Sequence, residues 1–315
     1  MSKISIIGAG FIGRAWAICF ARAGHDVWLY DREDGVVDLA RSYVADVLPS
    51  LEEYDLINGQ TPEAVLSRLH QSDSLRETME GAVHVQENTP ENLEIKRAVF
   101  AELEQNADPE TVLASSTSAI LPSLFSKDLE TRDRCLVAHP INPPYLVPAV
   151  EVVPSEWTSP DTREATAELM RGIGQKPIIM QREIDGFVMN RMQGALLEEA
   201  FRLVHDGYVT AEEVDVGIRD GLALRWSFMG PFETIDLNAP GGVRDYAVRY
   251  QKIYEKITPT QARRVDWTGP VLDRVESDLR SRVAERDLPE RQQWRDRRLM
   301  ALAAHKRQAE SDTNS

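Results

Sequence analysis

A glycine-rich turn near the amino terminus constrains the fold more than any other feature. Residues 3–8 form a short apolar run typical of a buried strand, and glycines follow at positions 8, 10 and 13. Residues 11–23 have the pattern of a helix that stops at Gly24, and residues 27–30 form a second strand that ends at Asp31. A strand, a helix and a strand in this order predict an α/β fold with a doubly wound sheet of the Rossmann type.

Each glycine of the G-x-G-x-x-G pattern has its own physical purpose. Gly8 permits a tight turn, Gly10 lets the backbone approach a pyrophosphate, and Gly13 permits close packing of helix on strand. The amino terminus of the helix offers free N–H groups and a partial positive charge to the phosphates. The alternative is a glycine-rich turn that arose by chance. The position of the pattern between a strand and a helix argues against this alternative.

Asp31 indicates which dinucleotide binds. It stands 23 positions after Gly8, at the end of the second strand, where a carboxylate accepts hydrogen bonds from the ribose hydroxyls and repels a 2′-phosphate. The sequence therefore predicts NAD as the cofactor rather than NADP. Arg32 could accommodate the 2′-phosphate instead, although we interpret it as a solvated surface charge.

The remaining pattern predicts two domains. Residues 35–80 resemble a charge-rich helical hairpin, with a helix start at residues 61–63, and further β/α alternation follows. From residue 187 onward the pattern is helical, and the last few residues are expected to be disordered. We therefore predict a NAD-binding domain over residues 1–185 and an all-helical domain for substrate binding and dimerisation over residues 186–315. Strands are expected near residues 83–87, 111–114, 134–138, 149–153 and 177–181, and a helix over 91–106.

Composition excludes several classes of partner. The net charge is −15, which argues against binding to nucleic acid or to anionic membranes. No apolar run approaches the roughly 20 residues that a membrane span requires, and the first residues lead directly into a strand without the pattern of a signal peptide. Cys19 and Cys135 are expected to be buried free thiols in a reducing cytoplasm. No Cys/His cluster has zinc spacing, so no metal is predicted.

His139 is the histidine placed for catalysis. It ends an apolar strand and enters a proline-rich loop, at the kind of strand end where α/β sheets bind ligands. Glu151 lies within the next apolar strand, where a carboxylate requires a partner. Glu151 would hold one imidazole nitrogen and leave the other as a base, the alternative being a purely structural buried pair. We interpret the other histidines as solvent-facing or core residues: His25, His70, His84, His205 and His305.

Further polar residues are candidates for the substrate pocket. Ser118 follows a strand, Asn142 lies in the loop after His139, and Asn190 lies on the first helix of the second domain. The serine could instead serve turn formation, and the asparagine could be an ordinary polar residue of a helix face. Arg225 lies in an otherwise apolar stretch, so we expect its guanidinium to be partly desolvated and to need an anionic partner. That partner would be a substrate carboxylate or, alternatively, an internal acid such as Glu233. The third possibility is that Arg225 is a surface residue whose charged end reaches water.

Several segments together resemble the 3-hydroxyacyl-CoA dehydrogenase superfamily over nearly the whole chain. These segments are residues 8–13, 91–96, 116–118, 139–143, 146–153, 186–191 and 229–233. Within the superfamily, the chain resembles the lambda-crystallin branch of L-gulonate 3-dehydrogenases, and this finer likeness is carried by residues 13–17, 221–228 and 291–296.

The resemblance implies a set of roles. His139 would be the general base, Glu151 its orienting partner, and Ser118 and Asn190 would hydrogen-bond the reacting oxygen. The residues that would contact NAD are Phe11, Ile12, Asp31, Glu91 and Lys96. The resemblance also implies a homodimer joined through the helical domain.

The implied reaction is oxidation of the 3-hydroxyl of a small hydroxy acid, with L-gulonate as the expected substrate. Two other enzyme activities remain open, namely oxidation of a 3-hydroxyacyl-CoA and oxidation of carnitine. A third alternative is a crystallin-like protein that binds NAD without turnover. Asn190 favours gulonate over carnitine, because carnitine dehydrogenases depart from the pattern there. The intact set of Ser118, His139, Glu151 and Asn190 argues against a protein without turnover.

Overall fold

One mixed sheet dominates the first part of the chain. The computed structural model describes residues 1–313, and within them the sheet has eight strands in the order β3-β2-β1-β4-β5-β6-β7-β8. Strands β1 to β6 are parallel, β7 pairs antiparallel with β6, and β8 is parallel to β7. The strands are β1 (Lys3–Ile7), β2 (Asp26–Tyr30), β3 (Leu69–Gln71), β4 (Ala82–Glu87), β5 (Val112–Ser115), β6 (Cys135–Pro140), β7 (Ala149–Pro154) and β8 (Lys176–Ile179).

Seven α-helices accompany the sheet within residues 1–188. The predicted α/β class is confirmed, and the strand order reverses between β1 and β4, which is where open α/β sheets bind ligands. The helices are α1 (Phe11–Arg22), α2 (Val36–Glu53), α3 (Pro62–Leu66), α4 (Leu75–Met79), α5 (Leu93–Asn106), α6 (Pro122–Ser126) and α7 (Pro160–Gly172).

The prediction for residues 35–80 was wrong in one respect. Helices α2, α3 and α4 occupy most of this segment, but β3 lies between α3 and α4 and pairs with β2. The expected helix start is present, since the Thr61 hydroxyl accepts a hydrogen bond from the Ala64 N–H at 3.2 Å. Strand β3 has only three residues and no apolar alternation, so the sequence pattern does not reveal it.

The sheet is covered by apolar packing on both faces. Adjacent residues of β1 point to opposite sides, so that Ile6 packs into one core and Ile7 into the other. The first core includes Trp16 and Phe20 of α1, and the second includes Phe100 of α5. This burial on both faces explains why β1 is a nearly continuous apolar run.

The second part of the chain is helical, as predicted. Its compact unit comprises Arg191–Arg295, whereas the chain from Asp296 onward belongs to the first unit, where Met300 is buried in the core. The sequence-based division into residues 1–185 and 186–315 does not include this return. The helices are α8 (Met189–His205), α9 (Ala211–Val216), α10 (Ala223–Trp226), α11 (Pro231–Leu237), α12 (Gly242–Gln261), α13 (Pro270–Arg282) and α14 (Leu288–Thr313), with a π-helical segment at Gly217–Leu222.

Three further expectations concern the chain as a whole. No helix among residues 1–313 is both long enough and apolar enough to cross a membrane. Cys19 and Cys135 are buried free thiols, as expected, and burial raises the pKa of Cys19 to about 11 and that of Cys135 to about 12. The disorder expected at the carboxyl terminus concerns residues that lie largely outside the described range.

Candidate active site

The turn between β1 and α1 is shaped to receive an anion. Gly8 has a φ of 87°, and a Cβ atom on Gly13 would lie 2.0 Å from the Gly8 carbonyl oxygen, so α1 can begin this close to β1 only with glycine at position 13. A Cβ atom on Gly10 would meet nothing within 4 Å. No side chain among the described residues caps α1, which leaves its first N–H groups available to a phosphate.

A cleft of about 420 Å³ opens beside this turn, at the point where the strand order reverses. Its polar end contains Asp31, whose carboxylate accepts hydrogen bonds from the Ala9 N–H at 2.8 Å and the Glu33 N–H at 3.1 Å. Apolar walls suit an adenine ring and a fixed carboxylate suits a ribose, so the residues present fit the adenosine half of NAD. Other lining residues include Gly8, Gly10, Tyr30, Val36, Asn88, Ile95, Val99 and Leu103.

Phe11 and Ile12 lie in the first turn of α1, directly after Gly10. Phe11 is 73% exposed and its ring stacks under the Arg14 guanidinium, 4.3 Å from the ring centroid. Ile12 is half-buried against the first core. Phe11 is therefore free to contact a bound cofactor, whereas much of Ile12 is engaged in packing.

Glu91 links the cofactor side of the site to the loop that carries Ser118. It is exposed, and its Oε1 accepts hydrogen bonds from the Thr117 hydroxyl at 2.6 Å and the Ala119 N–H at 3.0 Å. Glu91 thus fixes the residues on both sides of Ser118.

Lys96 does not reach the surface of the cleft. Its side chain is only 1% exposed, and its Nζ donates to both carboxylate oxygens of Glu87, at 2.7 and 3.0 Å. The same carboxylate accepts from the Ser115 hydroxyl at 2.6 Å and the Thr89 N–H at 2.7 Å. The structure therefore makes Lys96 part of a buried ion pair that holds the ends of β4 and β5, and its contact with NAD stays a prediction.

His139 and Glu151 form a buried pair at the edge of the sheet. They stand opposite each other in the antiparallel pairing of β6 and β7, and the His139 Nδ1 lies 2.6 Å from the Glu151 Oε2. His139 is 6% exposed and Glu151 is fully buried. The Phe187 ring packs against the imidazole, with ring centroids 5.7 Å apart. Because Nδ1 faces the carboxylate, Nε2 is the nitrogen that can exchange a proton with a ligand.

The second oxygen of Glu151 organises the start of α8. Its Oε1 accepts hydrogen bonds from the Val188 N–H at 2.6 Å and the Met189 N–H at 2.9 Å. The chain reaches this position through Phe187, which adopts an unusual positive φ of 48° for a bulky residue. Asn190 follows directly, and its Nδ2 donates to the Ser118 carbonyl oxygen at 2.8 Å. Glu151 thereby couples the orientation of His139 to the segment that carries Asn190.

Two further predicted substrate residues have exposed side chains in the structure. Asn142 is exposed in the loop after β6. Arg225 is also exposed, and its Nη1 donates a long hydrogen bond of 3.4 Å to the Asn238 Oδ1. The expected partial desolvation of Arg225 was wrong for the single chain, because neighbouring apolar residues such as Leu224 and Phe228 are themselves more than 60% exposed.

A buried polar network beneath the site was not anticipated from the sequence. The Gln86 Nε2 donates to the Ser116 hydroxyl oxygen at 2.7 Å and to the Ala138 carbonyl at 3.2 Å, and its Oε1 lies 2.9 Å from the His84 Nε2. Burial lowers the pKa of His84 to about 4. The signal was a pair of polar residues, His84 and Gln86, on one face of β4. Through Ser116 and Ala138, the network reaches the segments that lead to Ser118 and His139.

Two acidic residues of the cofactor cleft were also missed. Glu33 and Glu102 line the same cleft as Asp31, which is therefore not its only carboxylate. Arg32 lines the cleft as well; its side chain is solvent-exposed, as expected, and it also forms an ion pair with Glu102. Glu33 is a neighbour of Asp31 in sequence, whereas no local pattern connects Glu102 to it.

Two family models together match most of the chain. The NAD-binding domain of 3-hydroxyacyl-CoA dehydrogenase matches residues 3–184, and the C-terminal domain of the same family matches residues 186–269. The predicted family and its cofactor, NAD, are confirmed by these matches.

Individual relatives agree with the family models. A lambda-crystallin homolog of Mus musculus is 41% identical over 97% of this chain and 96% of its own length. An L-carnitine dehydrogenase of Pseudomonas sp is 35% identical over 96% of this chain and 93% of its own length. A solved structure with a similar fold is that of 5-formyl-3-hydroxy-2-methylpyridine 4-carboxylic acid 5-dehydrogenase, described as an NAD+-dependent dismutase. It superposes with a TM-score of 0.82 at 26% identity, over 98% of this chain and 99% of its own chain. The chain belongs to the 3-hydroxyacyl-CoA dehydrogenase family of NAD-dependent dehydrogenases.

Proposed function

We propose that this protein oxidises the 3-hydroxyl group of a small hydroxy acid, with conversion of L-gulonate to 3-dehydro-L-gulonate as the preferred reaction. The observation that carries the proposal is the buried pair of His139 and Glu151. Glu151 also holds the start of α8, and Asn190 on that helix donates to the Ser118 carbonyl oxygen. NAD, when bound, supplies the acceptor for the hydride.

The chain's own residues handle the proton and the oxygen. The His139 Nε2 takes the proton of the substrate hydroxyl, while Glu151 holds Nδ1 and stabilises the imidazolium that forms. The Asn190 amide has two N–H groups, of which one donates to the Ser118 carbonyl. The second N–H and the Ser118 hydroxyl are left to hold the substrate oxygen as its charge changes.

Arg225 supports a free acid as the substrate. Within the described residues its guanidinium makes one long hydrogen bond, to an amide oxygen and not to a carboxylate, so it is available to bind an anion. A planar guanidinium binds a carboxylate through two parallel hydrogen bonds, and a CoA thioester lacks that carboxylate. Two relatives are named for substrates that are free acids, L-carnitine and a pyridine carboxylic acid.

We further propose that the protein is a cytoplasmic homodimer and that its helical part forms the dimer contact. Large apolar side chains are exposed there, and a monomer rarely leaves so many uncovered. Two buried free thiols suit a reducing compartment. The exposed side chains include Leu224, Phe228, Phe232, Leu237 and Val248.

The second candidate function is a dehydrogenase for 3-hydroxyacyl-CoA or carnitine. The family models carry the first name, and relatives at 34% and 35% identity carry the second. A non-catalytic, crystallin-like protein is less well supported, because such a role would not require the buried pair and its partners.

A substrate panel tests the proposal. L-Gulonate, L-carnitine, 3-hydroxybutyrate and 3-hydroxybutyryl-CoA are supplied with NAD, and NADH formation is followed by absorbance. The highest kcat/KM is expected for L-gulonate. A higher value for the thioester or for carnitine would assign the second function, and no turnover with any compound, with NAD binding intact, would favour the crystallin-like role.

A further inference from the structure

An ion pair spans the rim of the cofactor cleft. The Arg32 guanidinium donates to the Glu102 carboxylate, and both side chains line the cleft that holds Asp31. Arg32 directly follows Asp31 at the end of β2, whereas Glu102 lies 70 residues away on α5. The two side chains are 60% and 40% exposed, so the pair stands in water and contributes little to stability.

The position of the pair matters for cofactor choice. A guanidinium beside the ribose carboxylate is the group that binds the 2′-phosphate of NADP in this kind of fold. In this structure that guanidinium is already engaged, and its charge is neutralised by Glu102. The ionisable residues lining the rim are Asp31, Glu33 and Glu102 against Arg32, so the rim has an excess of negative charge.

We propose that Glu102 is a specificity residue for the cofactor. By holding Arg32, it keeps the guanidinium from serving as a phosphate site, and its own charge repels a 2′-phosphate. Rejection of NADP therefore depends on two carboxylates, Asp31 from β2 and Glu102 from α5. The inference rests on binding of the adenosine half of NAD in this cleft, which titration with NAD tests separately.

The substitution Glu102→Gln isolates the effect. It keeps the side-chain shape but removes the charge, which frees the Arg32 guanidinium for an anion. We expect the Kd for NADP+ to fall about 10- to 100-fold, the range of one charge-assisted hydrogen bond, while the Kd for NAD+ changes less than about threefold. Both constants are measured by isothermal titration calorimetry without substrate, so the readout does not depend on turnover.

Two further variants identify the cause. In the double variant Arg32→Gln/Glu102→Gln, the gain in NADP+ affinity is expected to disappear, because the guanidinium that received the phosphate is gone. Glu94→Gln is the matched control, since Glu94 lies on the same helix, is exposed and pairs with Arg97 away from the cleft.

The outcomes separate this inference from its premise. An unchanged Kd for NADP+ in Glu102→Gln, or an equal gain in the double variant, would overturn the role given to the pair. A parallel change for NAD+ and NADP+ would reveal a structural effect and would overturn it as well. Failure of the unaltered protein to bind NAD+ would instead refute the cleft as the cofactor site.

Discussion

Replacing Glu151 by glutamine should disable the base without removing it. In the structure the Glu151 carboxylate accepts three hydrogen bonds, from the His139 Nδ1 and from the N–H groups of Val188 and Met189. A glutamine side chain has only one acceptor atom, and its amide nitrogen can only donate. If the oxygen stays with the two N–H groups, the amide nitrogen faces Nδ1, which must then act as the acceptor.

This arrangement places the proton on the wrong nitrogen of His139. Once Nδ1 accepts, Nε2 carries the proton of the neutral ring and cannot take one from the substrate. Comparable loss of the correct tautomer in other histidine-dependent enzymes costs up to about 10⁴-fold in rate, and a positioned base contributes about 10²–10⁴-fold. We therefore expect kcat to fall by about 10²–10⁴-fold, equivalent to about 3–5 kcal/mol of transition-state stabilisation.

The measurement is NADH formation at saturating NAD and substrate, together with calorimetric titration of NAD. Glu156→Gln is the matched control, because Glu156 is exposed just after β7, and it should retain normal turnover. His139→Gln should abolish turnover but spare NAD binding, and the double variant His139→Gln/Glu151→Gln should be no slower than it, because the two residues act as a unit. Near-normal turnover of Glu151→Gln, or additive losses in the double variant, would refute this reasoning.

Four further predictions concern the cofactor site, the core and the substrate. Asp31→Ala should weaken NAD binding by about 1.5–3 kcal/mol and reduce discrimination against NADP, and an unchanged ratio of the two Kd values would argue against its assignment. Gly13→Ala should lower the thermal midpoint and NAD affinity together, because its Cβ would lie 2.0 Å from the Gly8 carbonyl oxygen. The pKa of His84 is lowered to about 4 in the folded chain, below its unfolded value. The free energy of unfolding should therefore fall by up to about 3 kcal/mol as the pH drops from about 6.5 to 4, and denaturant titrations should show a smaller fall in His84→Gln. Arg225→Lys should raise the KM for the hydroxy acid by about tenfold or more and leave the thermal midpoint unchanged, whereas a lower midpoint at unaltered KM would establish a structural role.

Local patterns made the front of the fold predictable. Strand β1, the glycine turn and α1 occupy consecutive residues, and each has a steric requirement that only certain residue types meet. His139 and Glu151 could be paired from the sequence because a polar residue within an apolar strand needs a partner nearby. The structure brings these two residues together, while their catalytic roles stay a prediction.

Other features depend on contacts between distant parts of the chain. The pairing of Arg32 with Glu102 joins residues 70 positions apart, and nothing around Glu102 distinguishes it from other acids on an exposed helix face. In the return of α14 to the first core, Met300 is buried and Leu299 and Ala303 pack beside it, within a strongly charged helix. Such contacts are set by tertiary packing, which periodicity does not encode.

The antiparallel pairing of β7 with β6 explains why His139 and Glu151 meet at this edge of the sheet. In a parallel pair, the carboxyl end of one strand stands beside the carboxyl end of its neighbour. Because β7 runs antiparallel to β6, its first residues stand beside the end of β6, and the register places Glu151 opposite His139. Side chains directly opposite each other share one face of the sheet, so the backbone hydrogen bonds of the two strands hold the base and its carboxylate together. A slip of one residue would turn Glu151 to the other face and would separate it from both His139 and the start of α8.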